Sequence, residues 1–443
     1  MTRACRGSLP SNEVMSKDRD KRQLPSASQP PAANEAGMSA GLSGQLIVPA
    51  EMLARAGIWP GHEVVIEATS NGLRIAPDSL RKVHIEVTSH CNLDCLMCVR
   101  HSWQEPLGSM PLARFERFVD GLATETGPRA AVAFSGFGEP LVHPEWQEMM
   151  RLARRRGHPV ELITNGLLLD AAAARTLVDV GVGQITVSVD GGDDEAYMRM
   201  RGVPAAGALA AVHHLLEARR YTRQRIAVGI AALATRSTVT SLPALLDWAT
   251  DLRLDFVSIG NVVPHTEEMA AETLWERASW VSAFHQTSWR PQLRVGRFDM
   301  EDATLPLAAA LAERGLTYPS PSLDEARWRN RCRFAHEGMC AVSWEGRVSP
   351  CLSLLHSHAE FINNQARRVH EHVAGHVDDR RLTEIWRDPA FRAFRERVRT
   401  FDFPACFHCG GCPLTETNRE DCYNNPAPVC GECLWAQNIV LCP

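Results

Sequence analysis

From residue 82 to about residue 261, short apolar runs rich in β-branched residues alternate with longer stretches whose apolar positions recur every three to four residues. This pattern predicts strands over 83–88, 130–135, 159–164, 184–190, 225–233 and 255–261, with helices between them over 144–157, 170–180, 205–220 and 241–252. Repeated β-then-α units imply a parallel sheet, here six α/β units of a partial barrel or an open sheet, with function at the C-terminal ends of the strands in either case. Residues 265–330 read as mainly helical. Residues 1–40 are rich in Pro, Ser, Ala and charge without periodicity and read as a disordered tail, in which Met15 or Met38 would also serve as a start. Residues 41–80 read as strand, short helix, turn, strand, turn, strand, with turn signals at Pro60-Gly61 and Asn71-Gly72.

Composition changes this picture in one respect. Hydrophobic residues at 45% and charged residues at 22% are ordinary for a globular chain of 443 residues, and no run of eighteen apolar residues points to a membrane helix. The net charge of −5 gives no general reason to expect a polyanionic partner. No apolar leader occupies the first forty residues, so a cytoplasmic location is expected. The fourteen cysteines are the informative feature: Cys91, Cys95 and Cys98 form one cluster, ten lie between Cys332 and Cys442, and Cys5 stands alone. Closely spaced cysteines in a reducing compartment read as metal or cluster ligands before disulfides.

The segment VHIEVTSHCNLDCLMC carries the first predicted strand into a loop with C-x3-C-x2-C spacing. Three thiolates on one loop can hold three irons of a 4Fe–4S cube and leave the fourth open to a chelating ligand. A structural zinc site is the rival, but it normally takes four ligands, and only His90 or His101 lies near enough in sequence. The motif and its position resemble the radical S-adenosylmethionine (SAM) superfamily. The resemblance implies that FSGFGEP, ending the second strand, supplies Gly138, Glu139 and Pro140 to SAM, although Phe137 stands where a glycine is often found. It further implies Thr164 and Asn165 from ITNG, Ser188 and Asp190 from VSVDG, and Arg236 after the fifth strand as contacts of SAM, Arg236 as a partner for its carboxylate. The implied chemistry is reductive cleavage of SAM, with Cys91, Cys95 and Cys98 at the catalytic cluster, to give a 5′-deoxyadenosyl radical that abstracts hydrogen from a substrate.

The late cysteines are Cys332, Cys340, Cys351, Cys406, Cys409, Cys412, Cys422, Cys430, Cys433 and Cys442. A glycine five residues before Cys351 and strand–turn–strand geometry would bring Cys340 and Cys351 together. With the connector GHVDDRRLTEIWRDPAFRAFRERV, this region resembles the SPASM extension of radical SAM maturases, which implies two auxiliary 4Fe–4S clusters. Eight thiolates would suffice and ten are present. A zinc ribbon from Cys406, Cys409, Cys430 and Cys433 is the competing reading. His356, His358, His370, His372 and His376 read as solvated loop and helix face, and the arginines between Arg392 and Arg399 as a solvated helix face.

Residues 41–80 resemble an AbrB-like swapped-hairpin module, through the pattern L-x-V-P-x-x-M-x-x-x-G-I-x-x-G-x-x-V. Such modules often bind DNA, but two arginines against four carboxylates favour protein binding or pairing of two copies. The ending CGECLWAQ, with FSGFGEPLVHP and NVVPHTEEM, resembles the tungsten-cofactor oxidoreductase radical SAM maturases. The domain organisation expected is a tail over 1–40, an AbrB-like module over 41–80, a radical SAM partial barrel over 81–300, a linker over 301–330 and a SPASM domain over 331–443. The expected partners are a tungsten oxidoreductase as protein substrate and a flavodoxin or ferredoxin as reductant. Modification of a ribosomal peptide, and a DNA-binding regulator with a redox-sensing cluster, are the alternatives.

Overall fold

The structure is a computed structural model that describes residues 39–40, 46–55, 58, 64–69, 72–122, 129–191, 194–275, 291–315, 330–362, 365–409 and 412–441. Cys5 and Cys442 lie outside the described residues, as does nearly all of the tail expected over 1–40. Contacts divide the chain into two units, Met1–Ala56 and Gly57–Pro443. In the first, β1 (Ser39–Ala40) and β2 (Leu46–Ile47) pair antiparallel, and a helix over Ala50–Arg55 follows Pro49. The second begins with a hairpin of β3 (Val64–Thr69) and β4 (Gly72–Pro77), in which Ile66 faces Ile75. The strands and the short helix read over 41–80 are therefore present in that order, with the unit boundary falling inside the segment; the turn residues Pro60, Gly61 and Asn71 lie outside the described residues.

Seven parallel strands follow: β5 (Lys82–Ile85), β6 (Ala131–Phe134), β7 (Val160–Thr164), β8 (Gln184–Ser188), β9 (Ala227–Ala234), β10 (Phe256–Asn261) and β11 (Gln292–Val295). Their near-continuous apolar runs reflect burial on both faces. Val83, Ile85, Val132, Phe134, Leu162, Ile185, Val187, Ile230 and Val257 are all sealed in one core with helix residues such as Leu177, Ala211 and Leu246. Each of these buried Val, Ile, Leu and Phe side chains contributes about 1.5–3 kcal/mol. Local signals fix the helix ends. Asp170 Oδ1 accepts the backbone N–H groups of Ala172 and Ala173 at 2.9 and 2.8 Å, and Gly181, at φ 81°, ends the helix Ala171–Val180.

Two findings differ from the expected six-unit sheet. First, β11 lies in the stretch read as mainly helical; its four residues are too few for strand alternation to stand out from helical spacing. Second, the sheet does not stop at β5. The strand β12 (Met339–Val342), within the predicted SPASM region, pairs parallel to β5; β13 (Arg347–Ser349) and, after the separate hairpin β14 (His358–Ile362) and β15 (Gln365–Val369), β16 (Gly375–His376) extend it antiparallel. Barrel and Cys-rich region thus share one ten-stranded sheet. Within the expected linker, Leu305–Glu313 is helical and 316–329 lie outside the described residues.

At the far edge the chain's last segment returns across the strand ends. The backbone N–H of Arg297 donates to Asn438 O at 3.0 Å, and Asn261 Nδ2 donates to Ile439 O at 2.8 Å. Cys430 and Cys433 lie a few residues before these contacts with the ends of β10 and β11.

Candidate active site

The Cys91–Cys98 loop leaves the C-terminal end of β5, the position where parallel α/β sheets place chemistry. Its turns are tied by Cys98 N–H to Cys95 O at 2.9 Å and His101 N–H to Cys98 O at 3.1 Å. Arg100 braces it by donating to Leu93 O at 2.7 Å and to Cys98 Sγ at 3.2 Å. Cys91, Cys95 and Cys98 line one cleft of about 200 Å³, together with Gly138, Glu139, Thr164, Asn165 and Ser188 from the ends of the next three strands. Eight of the eleven residues expected at the cluster and its SAM site are thus brought together.

Glycine geometry shapes the cleft wall. A Cβ on Gly138 would stand 2.1 Å from Thr88 O and 2.7 Å from His90 O, so no side chain fits between the cysteine loop and the β6 loop. Gly136 has φ 127° and rests against the Glu86 side chain. Glu139, 2% exposed, accepts from Leu141 N–H at 3.1 Å, Thr164 Oγ1 at 2.8 Å and Asn165 N–H at 2.7 Å. Burial raises its pKa, and these three donors and the charge of Arg201 offset part of that rise. The carboxylate therefore acts as a strut between the β6 and β7 loops. Asn165 Nδ2 donates to Asn92 Oδ1 at 2.8 Å and lies 3.8 Å from Cys91 Sγ.

Three expected SAM contacts stand off the cleft. Pro140 is buried at the start of a 3₁₀ turn, Pro140–Val142. Asp190 is fully buried and accepts from Leu233 N–H at 2.9 Å and Arg201 Nε at 2.6 Å. Arg236 is half-exposed and paired with Glu301 at 2.8 Å. Two cations line the cleft: Arg100, on the cysteine loop, and Arg201, at the end of the helix Asp194–Arg201 and oriented by Asp190. No local pattern marked Arg201, because it reaches the site from a helix and not from a strand end.

The donor set fits an iron–sulfur cluster. Three soft thiols converge on one cleft, and an arginine N–H already points at one sulfur. Burial pushes the Cys95 thiol up to about 11; Arg201 opposes this, while the charges of Cys98 and Cys91 add to it. Burial also raises Cys91, against Leu93 N–H and Arg100. Thiolates crowded in this way call for positive charge among them, which cluster irons would provide. Among the described residues, no three His, Cys, Asp or Glu side chains converge as a single-ion site.

The late cysteines sort into groups. Burial drives the Cys351 thiol well up, and the neighbouring charges of Cys332, Cys433 and Cys430 drive it further. These four thiols, drawn from positions a hundred residues apart, form one set. Backbone N–H groups of Ala335 and Phe334 point at the Cys332 sulfur, and those of Ala436 and Trp435 at Cys433, as befits cluster ligands. A second group begins at Cys406, raised to about 11 by burial, then by the charges of Glu432, Cys422 and Asp421. Cys412 is half-buried nearby in sequence, and nothing is described of the Cys409 side chain. The expectation that Cys340 joins Cys351 does not hold for the side chains. Cys340 lies on β12 in the main core with Val342 and Val348, with Arg395 as its charged neighbour. Strand alternation turns its thiol inward. The histidine reading is also corrected: His356 and His358 are each 2% exposed, because the chain after Cys351 folds back against the barrel.

The comparisons agree with this geometry. The radical SAM superfamily profile matches residues 85–231, and the SPASM iron–sulfur cluster-binding domain profile matches 332–413. Both lie outside residues 41–80, so the AbrB-like resemblance of that segment finds no support. The chain is similar to a tungsten-containing aldehyde ferredoxin oxidoreductase cofactor-modifying protein of Pyrococcus furiosus, 27% identical over 82% of this chain and 97% of that one. It is also similar to an AdoMet-dependent heme synthase of Oleidesulfovibrio alaskensis, 24% identical over 79% of this chain and 87% of that one. Among solved structures, Streptococcus suis SuiB bound to S-adenosylmethionine shares the fold, with a TM-score of 0.51 and 16% identity over 78% of this chain and 74% of that one. The three-cysteine loop, the strand-end cleft around it and the two profile matches lead to one conclusion: this chain is a radical SAM enzyme of the SPASM type.

Proposed function

We propose that this enzyme matures a tungsten-containing aldehyde oxidoreductase or that enzyme's cofactor. The observation that carries the reading is the likeness to the Pyrococcus furiosus cofactor-modifying protein along 97% of that protein's length, which spans barrel, connector and Cys-rich end alike. A 4Fe–4S cluster on Cys91, Cys95 and Cys98 would supply the electron that breaks the sulfonium bond of SAM and yields the 5′-deoxyadenosyl radical. This chain's own residues do the rest. Arg201, held by Asp190, offers a fixed cation to the methionine carboxylate in the role expected of Arg236. Gly136 to Glu139 and Thr164 to Asn165 present backbone and hydroxyl groups along the cleft. The apolar packing of Met97, Met200, Val262 and Met269 behind the cysteine loop keeps water from that side.

The grouping of thiols supports an auxiliary cluster on Cys332, Cys351, Cys430 and Cys433; a second would take Cys406 and Cys422, with Cys409 and Cys412 close to Cys406 in sequence. Cys340 and Cys442 are then surplus. A flavodoxin or ferredoxin would deliver electrons, and the exposed Val64 and Ile66 on one face of the β3–β4 hairpin would serve pairing of copies or grip on the target protein. Among the described residues no helix is long and apolar enough to cross a membrane. The test is anaerobic incubation of cluster-loaded enzyme with SAM, reductant and an unmatured tungsten oxidoreductase. 5′-Deoxyadenosine release should rise severalfold with the oxidoreductase present and aldehyde oxidation should appear in the target. Release stimulated instead only by a short ribosomal peptide would overturn the reading.

A further inference from the structure

A buried chain of charges joins the cleft wall to the Cys-rich region, and none of the chemistry above uses it. It starts at Glu86, directly after β5 and fully buried. Glu86 Oε2 accepts the backbone N–H of Phe137 at 3.1 Å, and the Glu86 side chain packs on Gly136. Oε1 lies 2.8 Å from His356 Nε2. The other ring nitrogen, His356 Nδ1, lies 2.7 Å from Glu105 Oε2. Glu105 also accepts from Ser357 N–H at 3.0 Å and from Arg347 Nη2, on β13, at 2.9 Å. Carboxylates accept only, so a ring between two of them must donate from both nitrogens and carry a positive charge.

Phe137 closes the arrangement on the other side. Its ring meets Trp103 edge-on at 5.6 Å and His356 at 5.9 Å, while Trp103 lies over His356 at 4.3 Å. A glycine at 137 would make neither contact. The residue that departs from the superfamily pattern in the cleft wall is thus the one that reaches the auxiliary region, and Phe137 itself lines the cleft.

We propose that His356 is a positioning residue: clamped between Glu86 and Glu105, it fixes the Gly136–Phe137 wall of the cleft and so sets the enzyme's affinity for SAM. The inference rests on the reading of that cleft as the SAM site. The charged groups facing the ring are Glu86 after β5, Glu105 from the loop after Trp103, Glu371 beyond the strand Gln365–Val369, and Arg347, which in turn holds Glu345 and Glu371 at 2.5 and 2.7 Å. Burial alone would lower the pKa of the ring; the hydrogen bonds and charges of Glu105 and Glu86 outweigh it and raise the pKa to about 9. A raised pKa means the clamp is intact below that pH and is lost as pH rises through it, when one ring nitrogen turns its lone pair toward a carboxylate.

The experiment uses cluster-loaded enzyme and measures SAM dissociation constants, from the change SAM causes in the electron paramagnetic resonance signal of the reduced cluster, between pH 7 and 10. Iron content and melting temperature are measured alongside. Wild type should bind with constant affinity to about pH 8 and more weakly above about 9. His356→Gln should keep its iron, bind about tenfold more weakly at pH 7, the scale of one lost charge-assisted hydrogen bond, and lose the alkaline decline. Glu105→Gln, the milder change at a half-exposed site, should fold normally and start its decline at lower pH, because one of the two carboxylates holding the proton is gone. Unchanged affinity and an unchanged pH profile in both variants, with only a lower melting temperature, would overturn the proposal alone. A wild-type signal that does not respond to SAM would overturn the reading of the cleft beneath it.

Discussion

At the scale of single residues, the site depends on groups that cannot be exchanged for near equivalents. Cys95 faces Cys91, Cys98 and Arg201 in the cleft, so Cys95→Ala would remove one of the three proposed iron ligands, with no fourth thiol lining the cleft among the described residues. We expect this variant to lose about four irons per chain, the content of one cube, to keep its auxiliary iron and to release no 5′-deoxyadenosine. Iron analysis with product chromatography checks this, and wild-type release would remove Cys95 from the cluster. Three cysteines at C-x3-C-x2-C spacing were legible because the spacing itself carries the chemistry. Arg201 was not, since its place beside Cys95 is created by a helix folding back over the sheet. His356 was misread for the same reason: a histidine in a polar stretch is usually solvated, and only the packing against Trp103 and Glu86 buries it.

At the scale of elements, the helix Pro389–Thr400 shows how a charged stretch becomes internal. Its arginines read as a solvated face, yet Arg395 is 2% exposed and lies 3.7 Å from the Trp386 ring centre. Arg395 and Arg399 both pair with Asp78, just beyond β4, and so fasten this helix to the hairpin end. Burial disfavours the Asp78 carboxylate, but the hydrogen bond and charge of Arg399 and the charge of Arg395 win, and its pKa falls below 3.8. Asp78→Ala should lower stability at pH 7 by about 3 kcal/mol, the cost of removing one partner of a buried pair. A depressed carboxylate pKa stabilises above its unfolded value and ceases to do so as pH falls through the folded one. The gap between wild type and variant in chemical denaturation should therefore narrow below about pH 4, at the unfolded carboxylate value. A gap that persists there would contradict the pairing. The β–α alternation was legible to within a few residues at each strand from β5 to β10, because buried parallel strands write themselves as apolar runs. The strand β11, only four residues long, was not; the strand–turn–strand read around Cys340 and Cys351 corresponds to β12 and β13, but the pairing of β12 with β5, far away in sequence, was not legible.

At the scale of the whole molecule, one sheet running from β11 through β5 into β12, β13 and β16 makes barrel and Cys-rich region a single body. That continuity brings Cys332 and Cys351 beside Cys430 and Cys433, and it separates Cys340 from them. Cys433→Ser should cost one auxiliary cluster, about four irons per chain. Cys340→Ala should leave iron unchanged and cost about 1 kcal/mol of core packing. Equal iron loss in both variants would refute the grouping. The sequence by itself determined the chemistry class, the cysteine triad and the order of the strand-end motifs, since these depend on residue type and short spacing. It also determined most of the α/β framework, since periodicity records which faces are buried. Only the tertiary structure decided that Arg201 enters the cleft, which thiols form a set and where the two regions join. Those depend on contacts between positions separated by tens to hundreds of residues, and no local pattern in the chain encodes them.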